Sequence, residues 1–90
     1  MNMTRHAHKR RQQRGIAPFL IDLLRDFGKC QPAGHGTTRM YFDKTARRRV
    51  KAHLGPLARL VDEHLDVYVV IGPDEQVITV AHITERIRRH

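Results

Sequence analysis

The chain has 90 residues, 40% of them hydrophobic, with three Phe, two Tyr, no Trp and a formal charge of +8. That suffices for one domain, residues 1–90, with a modest Leu, Ile and Val core, and excludes a second. The single cysteine, Cys30, excludes an internal disulfide, and no run approaches the roughly 18 apolar residues of a membrane span, so we expect a soluble cytoplasmic protein without a metal or other cofactor.

Thr4 is placed to cap a helix over 5–14, whose residues are good helix formers, and Gly15 is the expected stop. Ala7 is the only apolar member of that helix. Residues 1–14 are therefore either a frayed basic arm or a helix docked through Ala7 and the methylene stems of its arginines. Ile16, Phe19, Leu20, Leu23, Leu24 and Phe27 recur at helical spacing, with Pro18 near the first turn and Gly28 after the last, which predicts a second helix over 18–27. Lys29 to Ala33 and Thr37 to Phe42 flank Gly34-His35-Gly36 as a hairpin, and Pro32 demotes the first arm to an edge or irregular strand. Asp43 caps a third helix over 44–54 that buries Ala46, Val50 and Leu54 and turns Arg47, Arg48, Arg49 and Lys51 outward.

Leu57, Leu60, Val61 and Leu65 suggest a short fourth helix. Val67 to Ile71 and Gln76 to His82 are rich in β-branched residues and are joined by the turn Gly72-Pro73-Asp74-Glu75, giving a second hairpin. Consecutive apolar positions in both of its strands predict a place at the centre of the sheet, covered on both faces. Residues 83–90 form a basic C-terminal tail. The order ααββααββ predicts an α+β domain with a small antiparallel sheet. Its core is expected from Phe19, Leu23, Leu24, Phe27, Val50, Leu54, Leu60, Val69, Ile71, Ile78 and Val80.

Charge is segregated along the chain. Thirteen of the 17 basic residues fall in 1–14, 44–51 and 85–90 with one acid among them, whereas the rest of the chain has four basic and eight acidic residues. Such clusters suit RNA or another single-stranded nucleic acid, because each phosphate neutralised releases counterions and adds affinity without any reading of sequence. The residues expected to meet phosphates are Arg5, Lys9, Arg11, Arg39, Arg47, Arg48, Lys51, Arg86, Arg88 and Arg89. An acidic protein such as an antitoxin or inhibitor would exploit the same field.

Cleaving RNA without a metal takes a base for the 2′-OH proton, an acid for the leaving oxygen, and fixed cations at the phosphorus. His6, Arg10 and Arg14 recur at intervals of four and line one helix face as an imidazole and two guanidiniums. His82, beside the arginine-rich tail, is suited to proton transfer near neutral pH, and Thr79 is able to donate to a phosphate from the sheet. Strand alternation sets Thr79 and His82 on opposite faces unless the strand bends. Seven histidines invite a metal reading, but His6 and His8 point about 200° apart on a helix and no paired carboxylates accompany the others. Of Tyr41 and Phe42, adjacent in a strand and near Arg39, at least one belongs to the core and the other is free to stack a base. Cys30 has no neighbouring histidine and reads as inert.

Four features together resemble an uncharacterised family of small bacterial proteins: His6-Ala7…Arg10…Arg14-Gly15-Ile16, an apolar helix closing at Gly28, the junction Tyr41-Phe42-Asp43-Lys44, and Val77-Ile78-Thr79-Val80…His82. That family is remotely related to the RelE and BrnT ribonuclease toxins, in the wider fold group of barnase and the colicin ribonucleases, and the resemblance covers nearly the whole chain. It implies N-terminal helices packed on one face of a twisted antiparallel sheet, the other face open to RNA, and His6, Arg10, Arg14 and Thr79 as the family-type positions. RelE-type toxins often rely on Arg and Lys rather than His, so His82 is a candidate from this sequence alone. The function expected is that of a small basic RNA-binding protein, with toxin-like, metal-independent endoribonuclease activity left open by the sequence. The alternative is a non-catalytic module that binds nucleic acid or an acidic protein.

Overall fold

Residues 2–83, the part that the structure, a computed structural model, describes, fold as α1 (Arg5–Gln13), α2 (Pro18–Phe27), β1 (Lys29–Gly34), β2 (Thr37–Tyr41), α3 (Lys44–Leu54), β3 (Val67–Ile71) and β4 (Val77–His82). This is the expected α+β domain. Each helix begins where a local signal stands. The Thr4 hydroxyl accepts from the Ala7 N–H at 3.1 Å, Pro18 opens α2, and the Asp43 carboxylate accepts from the Ala46 N–H at 2.8 Å. Gly15, at φ +64°, takes the left-handed conformation that turns the chain out of α1. The β1–β2 turn runs through His35 (φ 52°) and Gly36 (φ 74°), the positive pair of a primed hairpin turn.

The four strands are antiparallel in the order β1-β2-β3-β4. β1 is the exposed edge, and its register slips between Pro32 and Gly34, as a proline on a strand favours. The expectation of a central second hairpin is half corrected, because β3 is internal and β4 is terminal. The chain's own N-terminal segment takes the outer edge of β4: Met3 bridges Val77 in parallel, Thr4 N–H donates to the Val77 carbonyl at 2.9 Å, and Val77 N–H donates to Asn2 at 2.8 Å. At Val77 the edge is thus already paired and closed to another strand.

All three helices lie on one side of the sheet. Ala7, Leu20, Leu24 and Val50 pack against Met40, Val67, Val69 and Val80 in one continuous core. Tyr68, Val70 and Thr79, alternating with those strand residues, are only half-buried, so the hairpin is not covered on both faces. Two expected core residues are corrected. Phe19 is 47% exposed because it falls at the margin of the α2 stripe, where Ile21 on the opposite margin is buried instead, and Leu60 is 69% exposed. Ile78 is half-buried as the extra residue of a β-bulge opposite Val70 and Ile71. The fourth helix is also corrected. The stretch from Gly55 to the start of β3, opened by Gly55 and Pro56, forms two 3₁₀ segments instead, Gly55–Leu60 and Asp62–His64. Among the described residues no helix is long and apolar enough to cross a membrane.

Candidate nucleic-acid interface

The open alternatives for residues 1–14 resolve as a docked helix. Ala7 has no exposed surface, and the far end of α1 is tied to β4 by two contacts: the Arg14 guanidinium donates to the Val80 carbonyl at 2.9 Å, and His82 Nε2 lies 2.9 Å from the Arg14 carbonyl. A carbonyl only accepts, so in this hydrogen bond the imidazole is the donor. Arg11, half-buried, donates to the Ile16 carbonyl at 2.9 Å and closes the loop into α2. Arg5, His6, Lys9 and Arg10 remain exposed on a helix that has no acid of its own.

The five residues proposed for phosphate chemistry do not form one cluster. Arg14 and His82 meet at the end of β4, while His6 stands eight residues, about 12 Å, from Arg14 along the helix. Arg10, exposed, lies between them along α1. Thr79 pairs opposite Val70 on the helix-free face, and His82 pairs opposite the fully buried Val67, so the two lie on opposite faces as alternation requires. The bulge in β4 precedes both and does not bring them together. Among the described residues no three His, Cys, Asp or Glu side chains converge.

The basic face of α3 is partly occupied within the protein. Arg47 pairs with Asp66 at 2.6 Å and reaches the Leu65 carbonyl at 3.5 Å, Lys51 stands 3.9 Å from Asp62, and the Arg49 guanidinium lies 5.3 Å from the centre of the Phe27 ring. Those are the two ion pairs among the described residues, and both involve α3. Arg48 is exposed. Arg86, Arg88 and Arg89 lie outside the described residues.

The helix-free face gathers Arg39 and Tyr41, both candidates from the sequence, with Tyr68, which the sequence reading missed. Tyr41 pairs directly with Tyr68, and Arg39, two residues from Tyr41, sets its guanidinium 5.5 Å from the centre of the Tyr68 ring. Lys29 pairs with Tyr41 and Gln31 with Arg39 on β1, which continues the same face to the sheet edge. Phe42 is core, so of the two adjacent aromatics Tyr41 is the outward one. Tyr68 carried no signal of its own, since only the β2–β3 register brings it beside Tyr41.

A depression between α2 and the hairpin tips is lined by Arg25, Cys30, Thr38, Met40, Asp74 and Glu75, among others, and includes none of the phosphate-chemistry candidates. No protein-family model, curated protein or solved structure matches the chain.

Proposed function

We propose that the chain is a small RNA-binding protein that holds single-stranded nucleic acid mainly through its phosphates. The observation that carries this reading is α1. Arg5, Lys9 and Arg10 are exposed and have no ion-pair partner among the described residues, on a helix fixed to β4 at both ends. A helix that the fold already holds in place presents unneutralised cations to a polyanion without a cost for ordering its own backbone. The lone thiol of Cys30, exposed on β1, suits a reducing cytoplasm.

Binding, rather than cleavage, is the function the geometry supports best. Metal-independent cleavage takes a base, an acid and fixed cations at a single phosphate, and the five candidate residues are spread over α1, the helix-free face and the end of β4. The test is a titration of labelled single-stranded RNA at rising salt. The logarithm of the binding constant should fall linearly with that of salt, by about 0.7 per phosphate neutralised. The triple variant Arg5→Glu, Lys9→Glu, Arg10→Glu should bind more weakly and with a slope shallower by about 2. A flat salt response, or no binding at low salt, removes the proposal and favours an acidic protein partner.

A further inference from the structure

We propose that the Tyr41–Tyr68 pair on the helix-free face of the sheet is a base-stacking subsite, selecting strands with unpaired bases over duplexes and over bare polyanions. The inference rests on the nucleic-acid reading above and names the part of the ligand that phosphate contacts leave unread.

Directly paired residues of neighbouring antiparallel strands have Cβ atoms about 5 Å apart and project to the same side, so the two rings stand next to each other. Both are half-buried, which holds them in place and leaves aromatic surface free. No helix of the described residues packs on that side, since the core lies entirely against the other. Aromatic rings stack any base because every base has a π-face, and guanidinium planes do the same. Arg39 over Tyr68 therefore extends the stacking surface and brings a cation for the adjoining phosphate. Lys29, Gln31 and Thr79 add an ammonium, an amide and a hydroxyl to the face, and Val70 and Ala81 are its apolar members. No Asp or Glu belongs to the strand positions of this face, so it is complementary in charge to a nucleic acid and not to a basic partner.

A duplex hides its base faces within its own stack, whereas a single strand splays them out at no pairing cost. The occupant is thus a flexible single strand whose successive bases lie over Tyr41 and Tyr68 while its backbone meets Arg39 and Lys29 of the same face.

The experiment compares, over one series of salt concentrations, a fluorescent single-stranded RNA, the same strand paired to its complement, and an abasic oligonucleotide of equal length and charge. The wild-type chain should bind the single strand at least about 10-fold more tightly than the abasic oligonucleotide. Tyr41→Thr and Tyr68→Thr, which keep good strand formers, should each lose about 10-fold for the base-bearing strand and leave abasic binding and salt slope unchanged. Tyr41→Phe and Tyr68→Phe should retain the preference, which separates lost stacking from lost folding.

The chain's two tyrosines are its only strong intrinsic fluorophores, there being no Trp, so their quenching by base-bearing but not abasic strands reports this subsite directly. Salt-dependent binding with equal affinity for base-bearing and abasic strands overturns the subsite and leaves the phosphate-binding reading intact. Absence of salt-dependent binding to all three probes overturns both.

Discussion

Replacing Ala7 by Leu tests whether α1 is docked as described. Ala7 has no exposed surface where the helix meets the core. Leucine brings three further carbon atoms into a filled site, and forcing them in costs about 1–3 kcal/mol through shifted neighbours and strained rotamers. Helix propensity does not confound the result, since Leu ranks close behind Ala. Lifting α1 also strains the pairing of Asn2 and Thr4 with Val77 and of Arg14 with Val80, so the site has little room to relax. For a domain of this size each kcal/mol lowers the melting temperature by about 4–8 °C. Thermal unfolding followed by circular dichroism reads this, with His8→Leu, at an exposed position of the same helix, as the control expected within about 0.5 kcal/mol of wild type. Equal melting temperatures for Ala7→Leu and His8→Leu would refute the docking of α1.

Asp43→Ala removes the carboxylate that accepts from the Ala46 N–H and should cost about 1 kcal/mol in urea unfolding, with the slope of the transition unchanged. Arg14→Ala frees the Val80 carbonyl at the covered edge of β4 and should cost about 1 kcal/mol, less than a buried charged hydrogen bond because the site meets water; Arg14→Lys should recover part of it in the same assay. RNA cleavage in chelator, if it runs through His82, should fall about 100-fold or more in His82→Ala. Cleavage that persists near wild-type rate in both His82→Ala and Arg14→Ala assigns the chemistry to other residues.

The helices and turns were legible because their signals are local. Thr4, Pro18, Gly28 and Asp43 each act within one turn of the element they bound, and Gly34-His35-Gly36 and Gly72-Pro73-Asp74-Glu75 carry their turn geometry in a few residues. What depends on distant pairing was not legible. Nothing near Asn2 or Met3 announces Val77 as a partner, so the covered edge of β4 and its terminal place in the sheet emerge only in three dimensions.

The same holds for the candidate site. The stripe His6, Arg10, Arg14 is visible from helical spacing, but Arg14 is drawn onto β4 by an edge carbonyl that no periodicity reveals. Arg47 looks like a free outward cation until the start of β3 sets Asp66 beside it. Tyr68, inside an apolar run, reads as ordinary strand until the β2–β3 register aligns it with Tyr41. Phe19 shows the converse error, a hydrophobic residue at acceptable spacing that falls just outside the buried stripe.

The central claim is that the exposed cations of α1 hold single-stranded RNA by its phosphates, with the base-stacking subsite on the opposite side of the sheet as a second contact, and amide chemical-shift mapping of the isotope-labelled chain with an unlabelled RNA long enough to round the sheet edge tests it most directly. The predicted shifts run through Arg5 to Arg10, Lys29, Gln31, Arg39, Tyr41 and Tyr68, weaken with added salt, and spare the exposed Leu57 and Leu60. Shifts concentrated on the 3₁₀ segments and α2, or none at low salt, would contradict it.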